Sequence, residues 1–170
     1  KWFGHQHDDV APDVMTLAKG LGNGVPIGAV ACSEKAAAGL AVHAGGAVPH
    51  ASTFGGNALA AAAANAVFDI IETDGLIERA AQAGQYLASE LAEFVMEFPK
   101  HATEIRGRGL LRGLGVSGAP AQVVARCREN GLLLSVAGDK IVRFAPAYVV
   151  ERAQIDEALR ILRGVLAEGV

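Results

Sequence analysis

Lys19 is followed within five residues by Gly20, Gly22 and Gly24, in the stretch VMTLAKGLGNGVPIGAV from Val14 to Val30. A lysine amine attacks carbonyl carbons only when uncharged, and an apolar setting that desolvates it favours that form. The flanking Leu17 and Ala18 and the glycine turn predict an amine bordered by backbone rather than by bulky side chains, a gap suited to a flat ligand. The other reading is a solvated strand-end lysine, the commonest setting for this residue. The glycines lack the third position of a dinucleotide fingerprint and the Gly-Lys-Ser/Thr end of a phosphate loop, so no nucleotide site is expected.

A second group with chemical potential is Ser52 and Thr53, in STFGGN, just before an apolar helical pattern that starts at Asn57. Hydroxyls beside the free N–H groups of a helix N-terminus can cradle a phosphate; the same residues also make an ordinary cap with a serine-threonine turn. Arg143 is the lone charge in the apolar run IVRFAPA. If it faces inward it requires a carboxylate, from the protein as an ion pair or from a substrate, and its planar fork suits a two-point grip. Arg106, Arg108 and Arg112 in RGRGLLRGL are expected along an exposed strand edge. His5, His7, Asp8 and Asp9 carry metal-ligand atoms without a third ligand at a recognisable spacing and read as polar loop. His43, His50 and His101 are loop residues without identifiable partners.

The elements that must hold these residues can be read from periodicity. DVMTLAKG and PIGAVACS predict two short strands, and Ser33 predicts the cap of a helix from about Glu34. From Asn57, residues Leu59, Ala62, Ala63, Ala66, Val67, Ile70 and Ile71 form one apolar helix face. Asp74-Gly75 predicts a kink or break, after which Leu76, Ala80, Ala83, Leu87, Leu91 and Val95 line the next helix. Beyond Pro99, EIRGRGLLRGLGVSG reads as a strand pair or a bulged strand, APAQVVARCRENG as a helix ending at Gly131, LLLSVAG and DKIVRFAPA as strands around a tight turn, and ERAQIDEALRILRGVLAEG as a closing amphipathic helix. A small antiparallel sheet with covering helices is an α+β domain, with its boundary expected near Thr73.

The 170 residues are 51% hydrophobic and 19% charged, which excludes general disorder, and a net charge of −3 points to neither nucleic acid nor a membrane surface as partner. Cys32 and Cys127 form no CxxC pattern and are expected as small buried apolar residues in a reducing cytoplasm. The alanine-rich run after Asn57 is too short and too weakly apolar to span a bilayer. The opening KWFGHQHDDVAPDV has no initiator Met and no leading helix or strand, as expected of an entry in mid-fold.

Taken together and in this order, TLAKGLGNGVPIGAV, STFGGNALA, RGRGLLRGL and IVRFAPA resemble the carboxy-terminal part of the class III, fold-type I aminotransferases, nearest the acetylornithine and succinylornithine branch. The resemblance covers essentially the whole chain. It implies an α/β fold class: residues 1–73 as the end of a large domain that binds pyridoxal 5′-phosphate, and 74–170 as a small α+β domain. It implies that Lys19 forms the internal aldimine and then moves the proton, that Ser52 and Thr53 bind the cofactor phosphate, with Thr53 crossing a homodimer interface, and that Arg143 grips the substrate α-carboxylate. The implied activity is transfer of the amino group of N-acetylornithine, or a similar ω-amino acid, to 2-oxoglutarate in the cytoplasm. Ala58 and Ala51 depart from the family's usual proline and glycine. The acidic partner of the pyridine nitrogen, the stacking aromatic and the main phosphate loop lie in a family segment upstream of the positions matched here, so the expected isolated chain is a poor catalyst. The alternative is a non-catalytic relative that dimerises through its apolar helix face.

Overall fold

The computed structural model describes residues 1–43 and 52–169, without the side chains of 40–43. His50 and Ala51, with the side chain of His43, therefore lie outside the described residues. The chain forms two compact units, Lys1–Gly75 and Leu76–Val170.

In the first unit, strands β1 (Val14–Ala18) and β2 (Gly28–Cys32) pair antiparallel, from Val14 opposite Cys32 to Ala18 opposite Gly28. A clasp closes the open end of the ribbon, where Ser33 Oγ donates to Asp13 Oδ1 at 2.8 Å. The same hydroxyl accepts from the Ala36 amide at 3.3 Å, so Ser33 also caps helix α1 (Glu34–His43), as its residue type predicts. Helix α2 (Ala58–Thr73) begins at Asn57, whose side chain accepts from the Ala60 amide at 3.1 Å. Its Phe68 ring packs 5.4 Å from that of Trp2.

Burial in this unit departs from the expected helix face. Ala64 is its buried apolar side chain among the described residues, whereas Leu59 and Ile70 are exposed, together with Val14, Val30 and Phe54. The covered stripe runs instead through Ala60, Ala63, Ala64, Val67, Phe68 and Ile71. Cys32 is also exposed, contrary to expectation, because among the described residues no further strand flanks the two-stranded ribbon.

The second unit has a developed core. Helix α3 (Leu76–Glu97) follows the break at Asp74-Gly75 and buries Leu76, Gly84, Leu87, Leu91 and Phe94. Strands β3 (Ala102–Arg108), β4 (Leu111–Val116), β5 (Ser135–Ala137) and β6 (Ile141–Phe144) form one antiparallel sheet in the order β3-β4-β6-β5. Helix α4 (Pro120–Glu129) leads from β4 toward β5, and α5 (Arg152–Ala167) closes the unit. Helix α3 packs on β3 and β4, while α4 packs on β5 and β6. Alternation along the strands sends Leu114, Val116, Val142 and Phe144 into the helix-covered side, where they meet Leu91, Phe94, Val123, Ile155, Leu159 and Leu162. Among the described residues no helix is long and apolar enough to cross a membrane.

Cys127 lies in this core, and burial pushes its thiol from 9.0 up to about 11. The fold therefore holds the neutral thiol. This contribution is complete below pH 9 and is lost as pH rises toward 11, because the unfolded chain releases the proton first. The expected result with a chromogenic disulfide reagent at pH 8 is fast modification of exposed Cys32 and modification of Cys127 only on unfolding; equal rates would contradict the packing of α4.

Candidate functional site

Lys19 directly follows the last paired residue of β1, at the start of a 3-10 turn, Lys19–Leu21. Ala18 is extended, with φ −160°, but Lys19 has φ +52°, in the left-handed region that non-glycine residues rarely occupy. Two hydrogen bonds hold the turn, from the Gly22 amide to Lys19 O and from the Val25 amide to Gly22 O, each 3.1 Å. Gly22 is required by close approach: a Cβ there would stand 2.4 Å from Val25 O and 2.8 Å from Ile27 Cγ2. A Cβ at Gly20, next to the lysine, or at Gly24 would meet nothing within 4 Å among the described residues. The turn itself packs against α2.

Among the described residues no dry niche of the kind expected encloses Lys19: the side chain is exposed. The physical reason is local. A strand end followed by glycines contributes no side chains to cover the amine, so this stretch fixes where the lysine leaves the backbone without desolvating it.

Ser52 and Thr53 are exposed in the turn that precedes α2. That turn is closed by hydrogen bonds from the Gly55 amide to Ser52 O at 3.0 Å and from the Asn57 amide to Phe54 O at 3.2 Å. The cap of α2 falls to Asn57, which leaves both hydroxyls without a hydrogen-bond partner among the described residues. Lys19 and this hydroxyl pair thus share one unit, though no hydrogen bond joins them. For a flat aldehyde cofactor carrying a phosphate, these residues fit in kind: one primary amine beside open backbone, and two hydroxyls ahead of a helix N-terminus.

Arg143 belongs to the second unit and points outward, not inward, because its neighbours Val142 and Phe144 take the core side of β6. No carboxylate lies within ion-pair distance among the described residues; Nε donates instead to Ser135 Oγ at 2.9 Å. Arg106 shares the open face of the sheet but is engaged by Glu104 at 2.6 Å, which holds its guanidinium more firmly protonated. Arg106 and Arg108 lie exposed on edge strand β3 as expected. Arg112 differs: it is half-buried on inner strand β4 and donates to the carbonyls of Gly107, at 2.5 Å, and Gly84, at 3.3 Å. His5 turns back on its own loop, with Nδ1 2.8 Å from Val10 O. Ser135 drew no attention as a sequence residue. Its signal was the hairpin Ser135–Arg143, legible as a hairpin but not in register, and register is what sets the two side chains opposite each other.

Residues 1–166 match the family Aminotransferase class-III. The acetylornithine aminotransferase of Gloeobacter violaceus is 46% identical over 166 residues, which is 97% of this chain and 40% of that protein. The mitochondrial acetylornithine aminotransferase of Yarrowia lipolytica is 38% identical over 162 residues, covering 95% and 38% respectively. Among solved structures, an S-selective transaminase from Arthrobacter sp. aligns with a TM-score of 0.90 at 28% identity, over 99% of this chain and 41% of that one. The acetylornithine aminotransferase of Elizabethkingia anophelis gives 0.85 at 29% identity, over 99% and 44%. The chain spans about two-fifths of the length of the curated relatives it matches. With the glycine turn, the hydroxyl-bearing loop and the sheet with its outward arginine all carried on that fold, the chain belongs to the class III aminotransferases, a fold-type I family that works with pyridoxal phosphate.

Proposed function

We propose that this chain is the lysine-bearing and carboxylate-binding portion of a transaminase that moves the amino group of N-acetylornithine, or a similar ω-amino acid, to 2-oxoglutarate. Lys19 is the residue that bonds the cofactor aldehyde and, once released, carries the proton between donor and acceptor carbons. Ser52 and Thr53 hold the cofactor phosphate, Thr53 from the partner subunit of a homodimer. Arg143 takes the substrate carboxylate. When bound, pyridoxal phosphate supplies an electron-withdrawing ring that accepts the electron pair left on the substrate carbon.

The observation that carries this reading is the left-handed backbone at Lys19 beside open glycine positions. Asp9 and Asn23 are left-handed too, with φ +52° and +44°, and Lys19 is the one of the three whose side chain carries a nucleophilic amine; strained non-glycine residues cluster at functional sites. Desolvation of the amine forms no part of the support, since the side chain is exposed.

The test is reductive trapping. The chain is incubated with pyridoxal phosphate, reduced with borohydride and mapped by mass spectrometry. The expected result is a phosphopyridoxyl label concentrated on Lys19 over Lys1, Lys35, Lys100 and Lys140, and lost from the map in Lys19→Ala. A label spread evenly over all five lysines would mean that surface amines are reacting and would reject the assignment.

A second reading, a non-catalytic module that associates through an apolar face, is favoured by the exposure of Phe54 at 80% and Leu59 at 72%. It predicts self-association that Leu59→Glu abolishes, measured by sedimentation, together with no preference for Lys19 in the trapping experiment.

A further inference from the structure

We infer that Ser135 is the positioning residue for Arg143, holding the guanidinium by Nε so that only its end-on Nη fork is presented to a carboxylate. This inference rests on the carboxylate-binding role given to Arg143 above and adds the group that sets its geometry.

Arginine can grip a carboxylate side-on, through Nε–H and one Nη–H, or end-on, through its two Nη groups. In this fold the Nε–H is already donated to Ser135 Oγ at 2.9 Å, which removes the side-on edge. The contact follows from register. Ser135 stands directly opposite Arg143, and directly opposed residues share a face with their side chains in reach. The face is fixed by β6 itself, where Val142 is fully buried and Phe144 nearly so, since a one-residue slip of that strand would carry both out of the core and drive Arg143 into it.

The other flank is a glycine covered by the Ile141 side chain. Across β4, Gly113 is the residue opposite Arg143, and a Cβ there would come within 2.6 Å of Ile141 Cγ2. The guanidinium is thus tethered on one side and bordered on the other by a position with no side chain. A long, flexible cation is in this way oriented before any ligand arrives, which reduces the ordering that binding must impose. Arg106 on the same face differs in being paired with Glu104.

The test uses the 170-residue chain labelled with 15N, with glutarate as the dicarboxylate probe and chloride at matched ionic strength as the control. The Arg143 Nε–Hε signal is expected to exchange slowly with water and to shift saturably with glutarate. Ser135→Ala should speed that exchange and weaken glutarate binding about three- to tenfold, the range for the net contribution of one ordinary solvent-exposed hydrogen bond, while the amide spectrum keeps its dispersion. Ser135→Thr, which keeps the hydroxyl, should restore both. If Ser135→Ala binds glutarate as tightly as the parent with unchanged Nε exchange, or if the threonine variant behaves like alanine, the positioning role is overturned while the carboxylate role of Arg143 stands. If the parent shows no saturable shift at Arg143, the carboxylate role itself fails and the inference falls with it.

Discussion

Phe94→Ala is expected to destabilise the carboxy-terminal unit by about 3–5 kcal/mol, the range for truncating a fully buried aromatic residue. The Phe94 ring is 0% exposed and sits 5.9 Å from that of Phe98, with the Arg163 guanidinium 4.8 Å above its face. Two losses follow from truncation: the cation–π contact, worth about 0.5–1 kcal/mol at an exposed arginine, and the cavity left behind. The cavity dominates. Leu91, Leu114 and Leu162 around it are themselves 0% exposed and belong to different elements, so no single side chain can swing in to fill the space. Arg163 would keep its carboxylate partner Glu97, at 2.9 Å, and should not move far. In a denaturant titration the midpoint should fall with the slope unchanged, and Arg163→Gln should cost less than about 1 kcal/mol. A midpoint that Phe94→Ala leaves in place would refute the packing of α3 on the sheet.

Gly84→Ala has the next largest expected effect, and its sign is the informative part. In an open helix position, replacing glycine by alanine stabilises by about 1 kcal/mol. At Gly84 a Cβ would lie 2.3 Å from Gly109 C, 2.4 Å from Gly109 O and 2.7 Å from Gly109 Cα. All three are backbone atoms of the β3–β4 turn, so no side chain can rotate away, and either the helix or the hairpin must shift. Overpacking of this kind costs about 1–3 kcal/mol, and a backbone obstacle places it at the upper end, leaving a net loss of about 2 kcal/mol. For a unit of this size that corresponds to a fall of about 10 °C in Tm. The shift would also separate Arg112 Nη2 from Gly84 O, now 3.3 Å apart. Gly164, at an exposed position of helix α5, supplies the control: a Cβ there meets nothing within 4 Å, so Gly164→Ala should raise Tm slightly. A rise in Tm for Gly84→Ala matching that of Gly164→Ala would show that α3 does not press on the turn.

The secondary elements were legible because each carries a local signal that tertiary context did not override. Ser33 and Asn57 cap the helices they precede, Asp74-Gly75 separates α2 from α3, and alternation in IVRF sets β6. Burial was less legible. The stripe drawn through Leu59 and Ile70 is correct as a helical period, but what covers a helix face is decided by other elements, and here those residues remain exposed. The same distinction explains Lys19, whose glycine turn was read correctly and whose desolvation was not. Arg143 shows the opposite case: strand alternation already contained the outward direction, because Val142 and Phe144 on either side of it are the stronger core residues. Gly84 could not have been found from spacing, since nothing in QAGQYL says which backbone will press against it.

The left-handed backbone at Lys19 bears on how such a site decays. Asn and Gly occupy that conformation with less strain than lysine does, so any drift at this position toward either of them is downhill for the main chain. A relative that had stopped using the amine would therefore lose the lysine early and gain robustness by losing it, whereas its core residues would persist for as long as the protein folded.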